Sequence, residues 1–183
     1  MIVIGITGTL GAGKGTVVDY LVNKKNFKHY SVSGYLKEIL LKKNIEVNRT
    51  SLQDMGNKLR EKYGPDYITC KLFEKAKIDG CDAIIESIRN PKEAEFIKSQ
   101  KNGYLFAVDA NQKTRYLRIK KRASEKDRVT FSQFKEQEKK ELQSKDPNAQ
   151  NLPKCISMAD FKFDNNGTIE KLHEEVEKVF NKI

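Results

Sequence analysis

A mainly parallel β-sheet covered by helices on both faces is the fold class this sequence predicts. Three observations carry it. Apolar runs of strand length alternate with amphipathic helical stretches along the 183 residues, the pattern of strand–helix–strand crossovers. A glycine-rich turn, Gly8-Thr9-Leu10-Gly11-Ala12-Gly13-Lys14-Gly15-Thr16, joins the first strand to the first helix. Chemically capable residues also collect where predicted strands end: this turn, Ser31–Gly34, Glu86–Arg89, Asp109 and Asn165–Gly167. That is the edge at which open parallel sheets bind ligands.

Ile2–Ile6 reads as a buried strand, and Val17, Val18, Leu21 and Val22 share one face of the helix that follows the turn. Such a turn aims backbone N–H groups inward, and the helix dipole favours a bound phosphate. Gly8 and Gly13 bracket four residues before Lys14, the Walker A spacing, which puts Lys14 at the β- and γ-phosphates of a nucleoside triphosphate. The hydroxyl normally found directly after the lysine is displaced: Gly15 holds that slot and Thr16 comes next.

Phe27–Val32 predicts a short second strand, with His29 at its end read as structural. Three helices follow. One runs through Leu36, Ile39 and Leu40 to about Lys43. The next opens at Thr50-Ser51-Leu52-Gln53, which has capping-box form, and stops at Gly64-Pro65. The last carries Tyr67, Ile68, Leu72, Phe73 and Ala76. Three helices exceed what a crossover needs, so residues 34–80, approximately, read as an acceptor-binding insertion. Cys81–Glu86 is the third strand, and Asn90-Pro91 with Glu93 opens a helix, asparagine capping and proline taking the first turn. Tyr104–Val108 is the fourth strand, ending at Asp109. A basic helix, Gln112–Arg122, carries Arg115, Arg118 and Arg122. Beyond it lie a basic patch to Arg128, a helix opened by Thr130–Gln133, and a long polar loop over Ser144–Pro153. Phe161–Phe163 is the last strand, and Ile169, Leu172, Val176 and Val179 mark the closing helix.

The 35 basic and 25 acidic side chains leave a net charge of +10, which favours anionic partners. A phosphorylated substrate meets that preference as well as nucleic acid does. Three cysteines without a CxxC pair, and only two histidines, exclude a zinc cluster and a disulfide framework. No secretory pattern precedes the first strand and no apolar run reaches membrane-spanning length. The expectation is a cytoplasmic monomer or homodimer without a membrane partner.

The Gly-Lys-Gly-Thr ending of the turn resembles the nucleoside monophosphate kinase superfamily, which includes adenylate kinase and dephospho-CoA kinase. The resemblance is closest to the archaeal-type, dephospho-CoA-kinase-like nucleotide kinases. It also rests on Leu59-Arg60 through Gly64-Pro65-Asp66, on Ser87-Ile88-Arg89-Asn90-Pro91, and on Ala159-Asp160 through Asn165-Asn166-Gly167. It implies a P-loop three-layer α/β sandwich with a five-stranded parallel sheet, forming one kinase domain over residues 1–183. It further implies a lid over roughly residues 115–153, ATP as donor, and Mg²⁺. By this resemblance Gly8, Thr9, Leu10, Gly11, Ala12, Gly13, Lys14, Gly15 and Thr16 hold the ATP phosphates. Thr16 and Glu86 sit near the metal. Arg118 lies against the donor base beside the Asn166-Gly167 turn. Lys14, Arg89, Arg122 and Arg128 neutralise charge during transfer. Ser33, Gly34, Lys37, Arg60 and Arg89 form the acceptor side, where Lys37 replaces an arginine and supplies charge without its two-pronged fork.

Phosphoryl transfer asks the protein for positioning and charge neutralisation. A phosphate acceptor needs no general base, whereas a sugar hydroxyl benefits from a nearby carboxylate. Phe27 through Lys37 contains no Asp or Glu. The expectation is therefore an ATP-dependent kinase acting on small nucleotides, specifically a (deoxy)nucleoside monophosphate. Dephospho-CoA kinase stays open, as do a nucleotide-binding regulatory protein and a nucleic-acid end kinase, which would bind oligonucleotides with steep salt dependence.

Overall fold

The computed structural model describes residues 1–122, 129–142 and 150–183. In chain order the elements are β1 (Val3–Gly8), α1 (Lys14–Lys25), β2 (Lys28–Ser31), α2 (Val32–Lys42), α3 (Arg49–Tyr63), α4 (Tyr67–Asp79) and β3 (Ala83–Glu86). They continue with α5 (Pro91–Lys98), β4 (Gly103–Asp109), α6 (Gln112–Arg122), α7 (Phe131–Leu142), α8 (Leu152–Met158), β5 (Phe161–Asp164) and α9 (Ile169–Phe180). The strands form one sheet in the order β2-β3-β1-β4-β5 with parallel pairing throughout. The predicted fold class is the observed one.

Strand side chains alternate between two apolar layers, as a period of two requires. Ile4, Ile6, Ile84, Phe106, Val108 and Phe163 pack with Val17, Leu21 and Val176 of α1 and α9. Val3, Ile85 and Leu105 pack on the other face with Leu36, Ile68, Leu72 and Ile97. Each of these side chains contributes about 1.5–3 kcal/mol when fully buried. Register then aligns the strand ends. Ser31 pairs with Glu86, Glu86 with Ile6, and Asp109 with Asp164, so the chemically capable residues share one edge.

Three local features differ from the sequence expectation. The helix after β2 begins at Val32, the residue expected to end the strand, because the Ser31 side chain accepts a bond from the Gly34 N–H and caps it. The capping box of α3 uses Asn48 and Ser51 rather than Thr50 and Gln53: Asn48 Oδ1 accepts from Ser51 N, and Ser51 Oγ accepts from Asn48 N. Finally, α8 was not anticipated. Its Asn151 cap accepts from Lys154 N, and Pro153 lies in its first turn, where proline is tolerated, although that proline had read as part of a loop.

Candidate functional site

The glycine-rich turn is held open by close backbone approaches. Gly8 has φ +138°, and a Cβ there would lie 2.0 Å from the Val108 carbonyl oxygen. Gly13 has φ +100°, and its Cβ would lie 2.1 Å from Asn165 Nδ2. Asn165 is buried at the end of β5 and donates to the Ala12 carbonyl at 2.8 Å. Thr9 Oγ1 donates to the Asp109 carboxylate. Buried Arg115 of α6 donates to the Ala110 carbonyl at 2.7 Å and the Leu10 carbonyl at 3.3 Å, and pairs with Glu138 of α7. The loop is thus tied to β4, β5 and α6. Lys14 Nζ lies across it, donating to the Gly8 and Thr9 carbonyls at 2.9 and 3.0 Å. Gly13→Ala is expected to weaken triphosphate binding by about tenfold or more, since left-handed backbone alone costs a side chain roughly 1–2 kcal/mol and the Asn165 tie is also displaced. Gly15→Ala, whose Cβ meets nothing within 4 Å, is expected to lose much less. Titration of both variants with an ATP analogue checks this, and equal losses would contradict it.

Beside the loop lies a cleft of about 500 Å³ lined by Lys14, Thr16, Ser33, Glu86, Arg89, Arg118 and Arg122. Burial opposes ionisation of Glu86. Hydrogen bonding from His29 and Ser87, with the charges of Lys14 and His29, outweighs it and holds the carboxyl below the usual carboxylate range. Glu86 is therefore an anion at neutral pH, and a weaker base than an ordinary carboxylate. Ser87, next in sequence, has φ +77°. Its N–H and that of Ile88 both donate to the Ile6 carbonyl at 3.1 Å. Non-glycine residues in this region cluster at functional sites.

A second pocket, of about 90 Å³, shares Ser33, Ser87 and Arg89 with the cleft. It adds Arg49, Arg60, Gln53 and Gln150, with Val32, Leu36 and Leu52 as apolar wall. Arg60 is 2% exposed and Glu93 is fully buried. Glu93 Oε1 accepts from Arg60 Nε and Nη2 at 3.1 and 3.0 Å. Its Oε2 accepts from the Arg89 and Asn90 backbone N–H groups at 2.9 and 3.0 Å. One carboxylate thus joins α3 to the turn that carries Arg89. The segment entering α8 secures that turn from the other side. Arg89 Nη1 donates to Gln150 Oε1 at 3.1 Å, and Asn151 N to the Arg89 carbonyl at 2.8 Å. Cys155 of α8 is buried nearby, and burial together with the Glu93 charge pushes its thiol up to about 12.

The structure therefore brings together the loop residues, Thr16, Ser33, Glu86, Arg89, Arg118 and Arg122, with Arg60 in the adjoining pocket. Arg118 reaches Ala12 O and Asn165 Oδ1 at 3.5 Å. Lys37 is exposed on α2 and lines neither pocket. Gly34 serves the Ser31 cap. Asn166 and Gly167 are exposed outside the cleft, with Asn166 Oδ1 accepting from Asn111 N. Arg128 lies outside the described residues, as do the rest of residues 123–128 and residues 143–149 of the expected lid. Sequence reasoning named Ser87 and Asn165 only within strand-end stretches, took Gln53 for part of a helix cap, and passed over Arg49 and Gln150. An arginine and a glutamine spaced i, i+4 on the inward face of a helix, as Arg49 and Gln53 are, would have been the signal for those two. Among the described residues no group of three His, Cys, Asp or Glu side chains gathers into a metal site, and no helix is long and apolar enough to cross a membrane.

Comparison with known proteins places this geometry in a family. The model of an AAA domain, AAA_18, matches residues 4–144. A UPF0200 protein of Methanococcus maripaludis is 30% identical, the alignment covering 100% of this chain and 98% of the relative. Shikimate kinase from Bacteroides thetaiotaomicron superposes with a TM-score of 0.62 at 14% identity, covering 98% of each chain. Dephospho-CoA kinase from Campylobacter jejuni gives 0.51 at 16% identity, covering 98% of this chain and 96% of its own. The two kinases share the fold at these identities; the family rests on the first two matches. The chain belongs to the AAA domain family and to the UPF0200 proteins.

Proposed function

We propose that this protein is an ATP-dependent nucleotide kinase that transfers the γ-phosphate to a (deoxy)nucleoside monophosphate. One observation carries the reading. The pocket adjoining the phosphate cradle is lined by three arginines and by no carboxylate, which suits an acceptor that brings its own phosphate and needs no base. In this reading the loop amides and Lys14 hold the donor phosphates, with Arg118 and Arg122 of α6 facing them as the described part of a lid. Arg89, which lines both cavities, neutralises charge where donor and acceptor meet. The Thr16 hydroxyl and ionised Glu86 line the same cleft and form an oxygen set suited to Mg²⁺, which holds phosphate oxygens and offsets their charge when bound.

Solved kinases that share this fold include enzymes whose names specify shikimate and dephospho-CoA, both hydroxyl acceptors. That makes hydroxyl phosphorylation the second reading. Against it, no Asp or Glu lines the second pocket, and Glu86 lines the cleft beside the phosphate loop instead. The experiment supplies purified protein, ATP and Mg²⁺ with each acceptor separately: the monophosphates, dephospho-CoA and shikimate. Turnover of a monophosphate is expected, and turnover of a hydroxyl acceptor alone would overturn the proposal. Within the working pair, Arg49→Ala is expected to raise the acceptor KM about tenfold or more while the donor KM holds. Lys37→Ala, removing a solvated charge outside both pockets, is expected to change it less. A larger effect at Lys37 would return the acceptor site to α2.

A further inference from the structure

We propose that the second pocket reads the base of the acceptor and prefers bases whose edge presents hydrogen-bond acceptors, the keto class, over amino-bearing ones. This rests on the monophosphate reading above. Ser33, Ser87 and Arg89 line both cavities, so the acceptor's phosphate lies at that shared edge and its base extends toward the residues only the second pocket has. Those are Arg49, Arg60, Gln53 and Gln150, with Val32, Leu36 and Leu52 as apolar wall, a combination that fits a flat ring carrying a polar edge.

Arg60 supplies the discriminating group. Its Nη1 is buried and makes no hydrogen bond within the described chain, while Nε and Nη2 are bound to Glu93. A guanidinium nitrogen only donates, so whatever completes it must bring a lone pair. Glu93 already neutralises Arg60, so a neutral keto oxygen serves as well as an anion. Gly56 makes room for the guanidinium itself: a Cβ there would lie 3.0 Å from Arg60 Nη1 and 3.4 Å from Leu36 Cδ1.

The same pocket is poor in groups that could receive an exocyclic amine. No Asp or Glu lines it. Both oxygens of Glu93 are engaged, and Gln150 Oε1 already accepts from Arg89. The Gln53 amide and the serine hydroxyls are what remain. A base edge that sets an N–H group against Arg60 leaves two donors facing one another. A site built to donate hydrogen bonds rejects an analogue that cannot accept them.

Two minimal pairs test this on the intact chain, with the donor side filled by a non-hydrolysable ATP analogue and Mg²⁺. Inosine and adenosine 5′-monophosphates differ at C6, and uridine and cytidine 5′-monophosphates at C4, in each case keto against amino. Titration calorimetry is expected to show the keto member binding about tenfold or more tighter in whichever pair binds. Equal affinity, or preference for the amino member, overturns the inference and leaves the monophosphate reading standing. Failure of all four, of their 2′-deoxy forms and of guanosine and thymidine 5′-monophosphates to bind overturns that reading and takes the inference with it. Gln53→Glu adds a carboxylate acceptor on the surface of α3 that faces the pocket, and is expected to shift the preference toward the amino members by about tenfold. An unchanged ratio in this variant would put the base elsewhere and overturn the assignment.

Discussion

Lys14→Ala is expected to lower phosphoryl transfer by about 10²-fold or more, the loss typical of removing one electrostatic stabiliser of a transition state. The side chain lies across the loop and donates to the Gly8 and Thr9 carbonyls. It contributes charge rather than packing, since the neighbouring apolar layer is supplied by Val17, Val18 and Leu21. Thermal unfolding is therefore expected to hold within a few degrees. The check is single-turnover kinetics with the acceptor found in the screen, alongside the melting temperature. A folded variant retaining near-native turnover would remove Lys14 from the donor site, and the donor reading with it.

The second large effect is on stability. Glu93→Ala is expected to destabilise the chain by about 3–5 kcal/mol, the range for breaking a buried ion pair by removing one partner. Arg60 stays behind as an uncompensated charge, 2% exposed. The Arg89 and Asn90 N–H groups also lose their acceptor, so α5 loses the reciprocal half of its capping box. A melting temperature lower by roughly 10 °C follows for a chain of this length. The paired substitution Arg60→Met with Glu93→Leu is expected to recover most of that, because the cost lies in the orphaned charge rather than in the missing pair. Denaturant unfolding of the three proteins checks both statements. A Glu93→Ala variant as stable as the native chain would show that solvent reaches the pair.

The capping box at α5 also marks how far local sequence reaches. Asn90, Pro91 and Glu93 lie within four positions, and their roles follow from the chemistry of a helix start. The phosphate loop was legible for the same reason. Its glycines answer to backbone conformations that side chains resist, and its lysine follows at fixed spacing. The alternation of strands and helices required a parallel sheet, and that sheet put Ser31, Glu86 and Asp109 at one edge. Register between strands is fixed by which face is buried, so this much was already present in the pattern of apolar residues.

Tertiary structure decided which polar side chains face inward, and to what end. Glu93 was legible as a cap, yet its second oxygen reaches Arg60, 33 residues away. Asn165 is tied to Ala12 across 153 residues. No local pattern encodes either. The side proposed for the acceptor turned on helix phase. With Ser31 as cap, Val32 and Leu36 of α2 face the core and Lys37, one residue or about 100° further round, faces solvent. With Asn48 as cap, α3 starts at Arg49 and carries Gln53 and Arg60 along the pocket. A sequence read by resemblance places charge by position along the chain. The fold places it by the rotation of each helix about its own axis, and that rotation is set by the apolar residues each helix must bury.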